Sequence, residues 1–401
     1  MIGPWCQRSR LGTVALRYAI DGTLRLAQWL VAVSVIGAPY VALAQAPAVA
    51  HVRDSAGVRV VTYEILPSRR ALEVEERSLI DLGGLRSDPD HELDSGTPFL
   101  GARPTSDGRW IAVDREGLKV FDGGGRFVRT IGRSGQGPGE FGQIRDVCIS
   151  RGDTITSIPL MDRRLSTFDS SGNHVRTIVV EGRIGSHACV GDGSFLIRGE
   201  PTANPQSRMG RRDAMLMDRV ALIQRVRWDG RVVGALGWLS VESLDLTFED
   251  VGNIAAAQGN VVVGNGREPE YRTFALNGNL LQIVRWRANP TPITAAMREV
   301  ARRRGFVAGP AARAHLPFYR TLRADADGRV WVEDYVVAPE RPSYTVFDSQ
   351  GGLLGRVTLP ALSRSAPVVV WAGRTRVLLA WRDEDGGPHL TLHPVRQATP
   401  R

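Results

Sequence analysis

Phe121-Asp122-Gly123-Gly124-Gly125, leading into Arg126-Phe127-Val128-Arg129-Thr130-Ile131, and Phe168-Asp169-Ser170-Ser171-Gly172, leading into Asn173-His174-Val175-Arg176-Thr177-Ile178, are one phrase written twice. Each is an aromatic residue, an aspartate, a short turn ending in glycine, and a strand. The phrase returns as Trp228-Asp229-Gly230, Leu276-Asn277-Gly278 and Phe347-Asp348-Ser349-Gln350-Gly351, and near the N-terminus as Asp54-Ser55-Ala56-Gly57 before Val58. Asp and Asn side chains fold back onto the backbone of a turn, and Gly supplies the positive φ that tight hairpins need. A second turn signal lies between the copies: Asp107-Gly108, Arg151-Gly152, Asp192-Gly193, Gln258-Gly259, Asp327-Gly328 and Ala372-Gly373. Apolar, β-prone runs such as Trp110-Ile111-Ala112-Val113 follow it. Two turns per unit define a four-stranded meander. The first two copies stand 47 residues apart, near the repeat of propeller blades, and insertions stretch a later spacing to 71.

Six signals of each kind predict an all-β fold, a six-bladed β-propeller of four-stranded antiparallel blades. The two turn signals of the last blade fall at opposite ends of the chain. That blade is therefore stitched from both ends, which protects the sheet edges of a ring. Val58–Ile65 and Leu72–Leu82 both qualify as its N-terminal strand. The blades are expected near 97–131, 141–180, 185–238, 248–286, 316–359, and 366–395 with 52–82, all within one domain, 45–401. Thr291-Pro292-Ile293-Thr294 opens a capped helix, and Ile293, Met297, Val300 and Ala301 share its apolar face. A surface helix over 291–305 is therefore inserted between blades four and five.

The N-terminus reads as a targeting segment. Arg8, Arg10, Arg17 and Arg25 precede an apolar run from Leu30 to Val41, and Ala42-Leu43-Ala44 has the small-x-small pattern that signal peptidase cuts. The run is short for a span of ~20 residues, and Pro39 interrupts it, so a cleaved signal peptide over 1–44 is expected and no stable membrane span afterwards. Export would place residues 45–401 in the periplasm or outside the cell. Of the 51 basic residues only Lys119 is lysine, and the arginines are scattered among Asp, Glu and Gly. A nucleic-acid footprint would be a contiguous basic stripe with interleaved aromatics. No such stripe is present, so the net charge of +9 does not point to nucleic acid.

Gly132-Arg133-Ser134-Gly135-Gln136-Gly137-Pro138-Gly139-Glu140-Phe141 is similar to the Gly-rich interblade loop of NHL-repeat-like six-bladed propellers. Leu316-Pro317-Phe318-Tyr319 with Asp325-Ala326-Asp327-Gly328-Arg329-Val330-Trp331-Val332 resembles a late blade of their secreted bacterial members. The resemblance covers roughly 52–395 and implies the fold. Propellers of this type include protein- and RNA-binding modules, lactone hydrolases and lyases, so it implies little about activity.

No Gly-x-Ser-x-Gly, His-Glu-x-x-His or Cys-x-x-Cys motif occurs, and the Gly-rich loop lacks the lysine of a phosphate-binding loop. Aligning the blades on their second turns puts Cys148 and Cys189 in the same slot of neighbouring inner strands. They are either small core residues or a disulfide in an oxidising compartment. Two positions earlier the blades carry Ala102, Asp146, His187, Asn253, Leu322 and Pro367. Asp146, His187 and Asn253 are thus candidate ligands for a divalent cation such as Ca²⁺, as in the propeller lactonases this chain resembles, or a hydrogen-bonded polar lining. Arg103, Arg145 and Arg323 fall on the opposite parity or one residue away. If they reach the channel mouth, they favour an anionic ligand. The tryptophans are expected to pack between blades.

The sequence therefore points to an exported, monomeric binding module without catalysis, holding an unknown small molecule or an extracytoplasmic protein at its channel or rim. The alternative is a metal-dependent lactonase or lyase working through Asp146, His187 and Asn253.

Overall fold

Each repeated aspartate or asparagine caps its own turn. In the computed structural model, Asp122 Oδ1 accepts from the backbone N–H of Gly124 and Arg126, both at 2.9 Å. Asp169 does the same for Asn173, Asn277 for Asn279, and Asp348 for Gln350 and Gly352. Glycine is required where the turn meets its neighbour. Gly351 has φ +78°, and a Cβ there would stand 2.6 Å from Val284 on the preceding blade. The structure describes residues 50–66, 72–82, 93–94, 101–160, 162–180, 184, 186–199, 202–203, 205–208, 219–241, 253–303, 314–335, 341–363 and 366–398. The 1–44 segment and most of 201–218 lie outside them.

These turns build a six-bladed propeller, its blades forming six sheets in a ring. The innermost strands are Ala102–Pro104, Ile144–Ser150, Ser186–Cys189, Asn253–Ala257, Tyr319–Ala324 and Val368–Ala372. The middle strands are buried on both faces, as in Trp110–Val113 and Leu118–Phe121, because a blade lies on either side. This is why they read as continuous apolar runs rather than as alternating ones. Six apolar clusters fill the six seams. Ile111 and Val120 meet Val147 and Phe168 between blades one and two, and Trp331 and Tyr344 meet Val369 and Leu379 between five and six. Leu378 and Leu390 meet Trp110 and Phe121 where the ring closes.

The turns between first and second strands, and between third and fourth, all leave from one face of the ring. The connections from second to third strands, and from one blade to the next, leave from the other. That second face carries the long connections, including the Gly-rich segment and the helix. The Gly-rich segment closes on itself: Glu140 accepts from Gly137 N–H at 2.7 Å and pairs with Arg133. The helix, α1 (Ala295–Arg303), begins at Thr294, whose hydroxyl accepts from Met297 N–H. Ile293 and Met297 pack on Leu316 and Tyr335, whereas Val300 is 40% exposed.

One expectation needs correction. The Asp54-Ser55-Ala56-Gly57 turn forms as read, with Gly57 N–H donating to Asp54 Oδ1 at 3.0 Å, but it serves a different blade. Its hairpin, Ala50–Ser55 with Val58–Tyr63, adds to the outer edge of blade four, where Val58–Tyr63 runs parallel to Leu280–Trp286. An Asx turn is local and does not specify which sheet its strands join. Residues 52–63 therefore do not belong to blade six. Tyr63 fixes the hairpin there: its hydroxyl donates to Gly351 O and accepts from Leu353 N–H, both at 2.8 Å. Blade six is closed instead by Leu72–Val74 and Ile80–Leu82, both antiparallel to Pro388–Gln397.

His389 clasps that closure. Its Nδ1 meets Asp81 Oδ2 at 2.9 Å, its Nε2 meets Asp383 Oδ2 at 3.2 Å, and its ring stacks on Trp381 at 4.1 Å. The hydrogen bond to Asp81 raises the His389 pKa above its ordinary 6.5, against the opposing effect of burial. The hydrogen bond from His389 in turn holds Asp383 below the usual carboxylate range. A histidine pKa raised by folding stabilises fully below the unfolded value and fades as pH climbs through the folded one. The depressed Asp383 pKa stabilises above its unfolded value and fades as pH falls through the folded one. The clasp is therefore tightest in mildly acidic solution. Amide exchange at Ile80–Leu82, corrected for intrinsic rates, should speed up as pH rises above the ordinary histidine value of 6.5. His389→Asn should exchange faster and lose most of that dependence; an identical pH profile in the variant would contradict the clasp.

Candidate functional site

The inner strands surround a cavity of about 340 Å³ at the propeller axis. Its wall includes Arg103, Arg145, Asp146, His187, Asn253 and Arg323. Most lie toward the starts of their strands, on the face that carries the long connections. All six sequence-picked residues thus reach one cavity, although strand parity had divided them into two sets. For Arg145 and Asp146 the reason is a bulge. Register shifts fall between Ile144 and Asp146, Tyr319 and Leu322, and Val369 and Trp371, on three of the six inner strands. A bulge turns the side chains on either side of it toward the same face. Arg145 and Asp146 can therefore both line the channel.

Asp146 is the hub. Its carboxylate pairs with the Arg103 guanidinium, accepts from Val147 N–H at 2.8 Å, and lies 3.1 Å from His187 Nε2. Burial would raise its pKa, but the Arg103 charge and the His187 hydrogen bond outweigh it and hold the carboxyl below its ordinary range. Arg103 also donates to Val370 O at 2.8 Å, tying blade one to blades two and six. Asn253 turns its amide to Arg320 O at 3.2 Å. Arg323 sits on the wall with its Nε buried and, among the described residues, without a hydrogen-bond acceptor. Of the other side of the site, the blade alignment places only Leu322 in the same slot. Trp371 and Leu322 add an apolar side to the wall, and Thr321 adds a hydroxyl that donates to Glu333 at 2.8 Å. Trp371 lies on a bulged strand whose facing no local pattern announces.

Two residues along from the Asp146–His187 contact, Cys148 and Cys189 form a disulfide with Cα atoms 5.5 Å apart. The contact and the disulfide are successive rungs between blades two and three. Of the tryptophans, Trp331 is fully buried and Trp110 and Trp286 nearly so, as expected. Trp238 is 53% exposed on an outer strand, and Trp371 faces the cavity.

The trio Asp146, His187 and Asn253 reaches the cavity wall with its polar groups already engaged. The Asp146 carboxylate pairs with Arg103, and the Asn253 amide N–H donates to Arg320 O at 3.2 Å. Among the described residues no group of three His, Cys, Asp or Glu side chains is placed to hold a metal. A cation would have to displace a guanidinium from a low-dielectric site. The thermal midpoint of the protein is expected to be the same in Ca²⁺ and in EDTA; a fall on chelation would contradict this.

A family profile described as a 6-bladed beta-propeller, DUF5128, matches residues 106–196. No curated protein matches the chain in sequence. Among solved structures, an exported protein from Bacteroides fragilis aligns at 10% identity and TM-score 0.51, over 85% of this chain and 100% of its own. A DUF4221 member from Bacteroides vulgatus aligns at 11% and 0.48, over 82% and 99%. A gluconolactonase from Xanthomonas campestris aligns at 13% and 0.38, over 75% and 87%. The protein is a six-bladed β-propeller. The likenesses extend to fold and not to ligand, and none reaches the NHL-repeat resemblance of the interblade loop. No helix among the described residues is long and apolar enough to cross a membrane.

Proposed function

We propose that this protein is an exported propeller that binds a small anionic ligand in its central channel, and that binding rather than catalysis is its role. One observation carries the reading: the described cavity wall holds three arginines and a single carboxylate. Buried cations attract anions strongly, because the surrounding dielectric is low and guanidinium forks match carboxylate and phosphate oxygens. The acid–base pair within the cavity is already engaged: Asp146 is shared by Arg103, His187 and a backbone N–H. It therefore serves the wall's architecture.

Export is supported by the N-terminal basic and apolar segment ending at Ala44. The Cys148–Cys189 disulfide suits an oxidising compartment. The Bacteroides fragilis protein with the same fold is described as exported. N-terminal sequencing of the protein from a secreting host should begin at Gln45. For the ligand, the thermal midpoint should rise in sodium carboxylates and phosphates at constant ionic strength and stay put in neutral sugars. Stabilisation by sugars and not by anions would overturn the reading.

A further inference from the structure

The cavity wall changes character along the propeller axis. The inner strands run from the face of long connections toward the face of tight turns. Wall residues near their starts include the polar Arg145, Ser186, Asn253 and Thr321. Wall residues at or near their ends are small: Ala256, Ala324, Ala372, and Cys189, whose sulfur is spent in the disulfide. Trp371 joins this end of the wall beside Ala372. Three steps of strand, as from Ser186 to Cys189, separate the two ends by roughly 10 Å. The small side chains leave room at the tight-turn end and offer a ligand no strong hydrogen bond. On blade five the change falls within one strand, between Thr321 and Ala324, and Arg323 stands in it. The Arg323 Nε is buried and meets no acceptor among the described residues. Arg103, by contrast, is engaged by Asp146 and by Val370 O. A buried donor without an acceptor costs free energy until a ligand or a shift of the side chain meets its group.

We propose that the channel takes an amphipathic organic acid, with one anionic oxygen head on Arg323 and a compact apolar body toward the tight-turn end, against Trp371 and the alanines. This rests on the anion-binding reading above and narrows it. The head supplies the acceptor that the protein does not. Water in a recess lined by small apolar side chains is poorly bonded, so an apolar group that displaces it gains free energy. The volume of about 340 Å³ is at the small end of ligand pockets, which suits a single ring or a branched chain of that size. A bare inorganic anion meets only the first half of the site, and a neutral ring only the second.

The test is isothermal titration calorimetry at fixed ionic strength with benzoate, acetate, inorganic phosphate and benzamide. The variants are Arg323→Gln for the head, Ala256→Val to fill the apolar end, and Arg231→Gln as a control on the face of tight turns. Benzoate should bind at least about 10-fold more tightly than acetate, because its ring is buried, and at least about 10-fold more tightly than benzamide, because its head is charged. Arg323→Gln should weaken benzoate roughly 10- to 100-fold, as expected for charge-assisted hydrogen bonds. Ala256→Val should weaken benzoate and leave acetate unchanged, and Arg231→Gln should alter neither. The ranking of the four probes on the unmodified protein tests the proposal even where a variant fails to fold. Acetate binding as tightly as benzoate, or phosphate binding without benzoate, would overturn the apolar body and leave the anion site standing. Benzoate binding unaffected by Arg323→Gln would overturn the placement of the head. Benzamide binding as tightly as benzoate, or no binding by any probe, would overturn both readings.

Discussion

Asp325→Ala is expected to destabilise the propeller by about 3–5 kcal/mol, the cost of leaving a buried ion-pair network without its anion. On typical unfolding entropies for a chain of this size, that lowers the thermal midpoint by about 4–7 °C. Asp325 has no exposed side-chain surface, yet it serves five donors. It accepts from Arg329 Nε at 2.6 Å and from Trp331 Nε1 at 3.0 Å. It also accepts from Asp327 N–H, at 3.0 Å, and Arg329 N–H, at 2.9 Å, while its carbonyl closes the turn to Gly328. Arg329 in turn donates to Gly373 O and Arg374 O across the seam to blade six. Removing the carboxylate therefore strands a guanidinium and the indole N–H of the fully buried Trp331. Asp325→Asn keeps the shape and two acceptor directions and should cost less. Calorimetric unfolding checks both; a loss under about 1 kcal/mol in the alanine variant would mean that water replaces the network.

Breaking the Cys148–Cys189 disulfide should cost nearly as much. It closes a loop of 41 residues, which on the chain-entropy account is worth about 4 kcal/mol, or about 5 °C in the midpoint. Cys148 is nearly buried in the seam between blades two and three, beside Ile158, Leu165 and Phe195, so Cys148→Ala also removes packing there. The rung two residues away is Asp146 with His187. Loosening the seam should therefore weaken ligand binding as well as stability. Reduction by dithiothreitol, followed by calorimetry and titration, separates the two effects. A reduced protein that binds as tightly as the oxidised one would show that the site does not depend on this staple.

The residues that announce the fold and those that form the site lie at opposite ends of the strands. The Asp–Gly turns are local, need no partner to be recognised, and sit on the face away from the ligand. They gave the number of blades and the closure of the ring by both chain ends. They could not say that Asp54–Gly57 turns a hairpin of blade four, because that depends on pairing with Leu280–Trp286, more than 200 residues away. The site was half legible for a related reason. Counting back from the turns located the right strands, and Cys148 and Cys189 in equivalent slots do meet. Parity beyond a bulge is not written in the sequence. Asp146 and Arg145 were therefore split between two imagined faces when they share one wall, and Trp371 passed as a core residue. The Asp81–His389–Asp383 clasp carries no local signal, since Asp81 and His389 are 308 residues apart.

The central claim is that a small anion binds in the central channel, whose described wall carries three arginines and one carboxylate. The most direct measurement is an anomalous difference map from crystals of the protein grown with selenate, a doubly charged oxyanion that diffracts distinctively. The account predicts a selenium peak inside the channel, and its disappearance in Arg323→Gln. An empty channel, with selenate only at surface arginines, would contradict it.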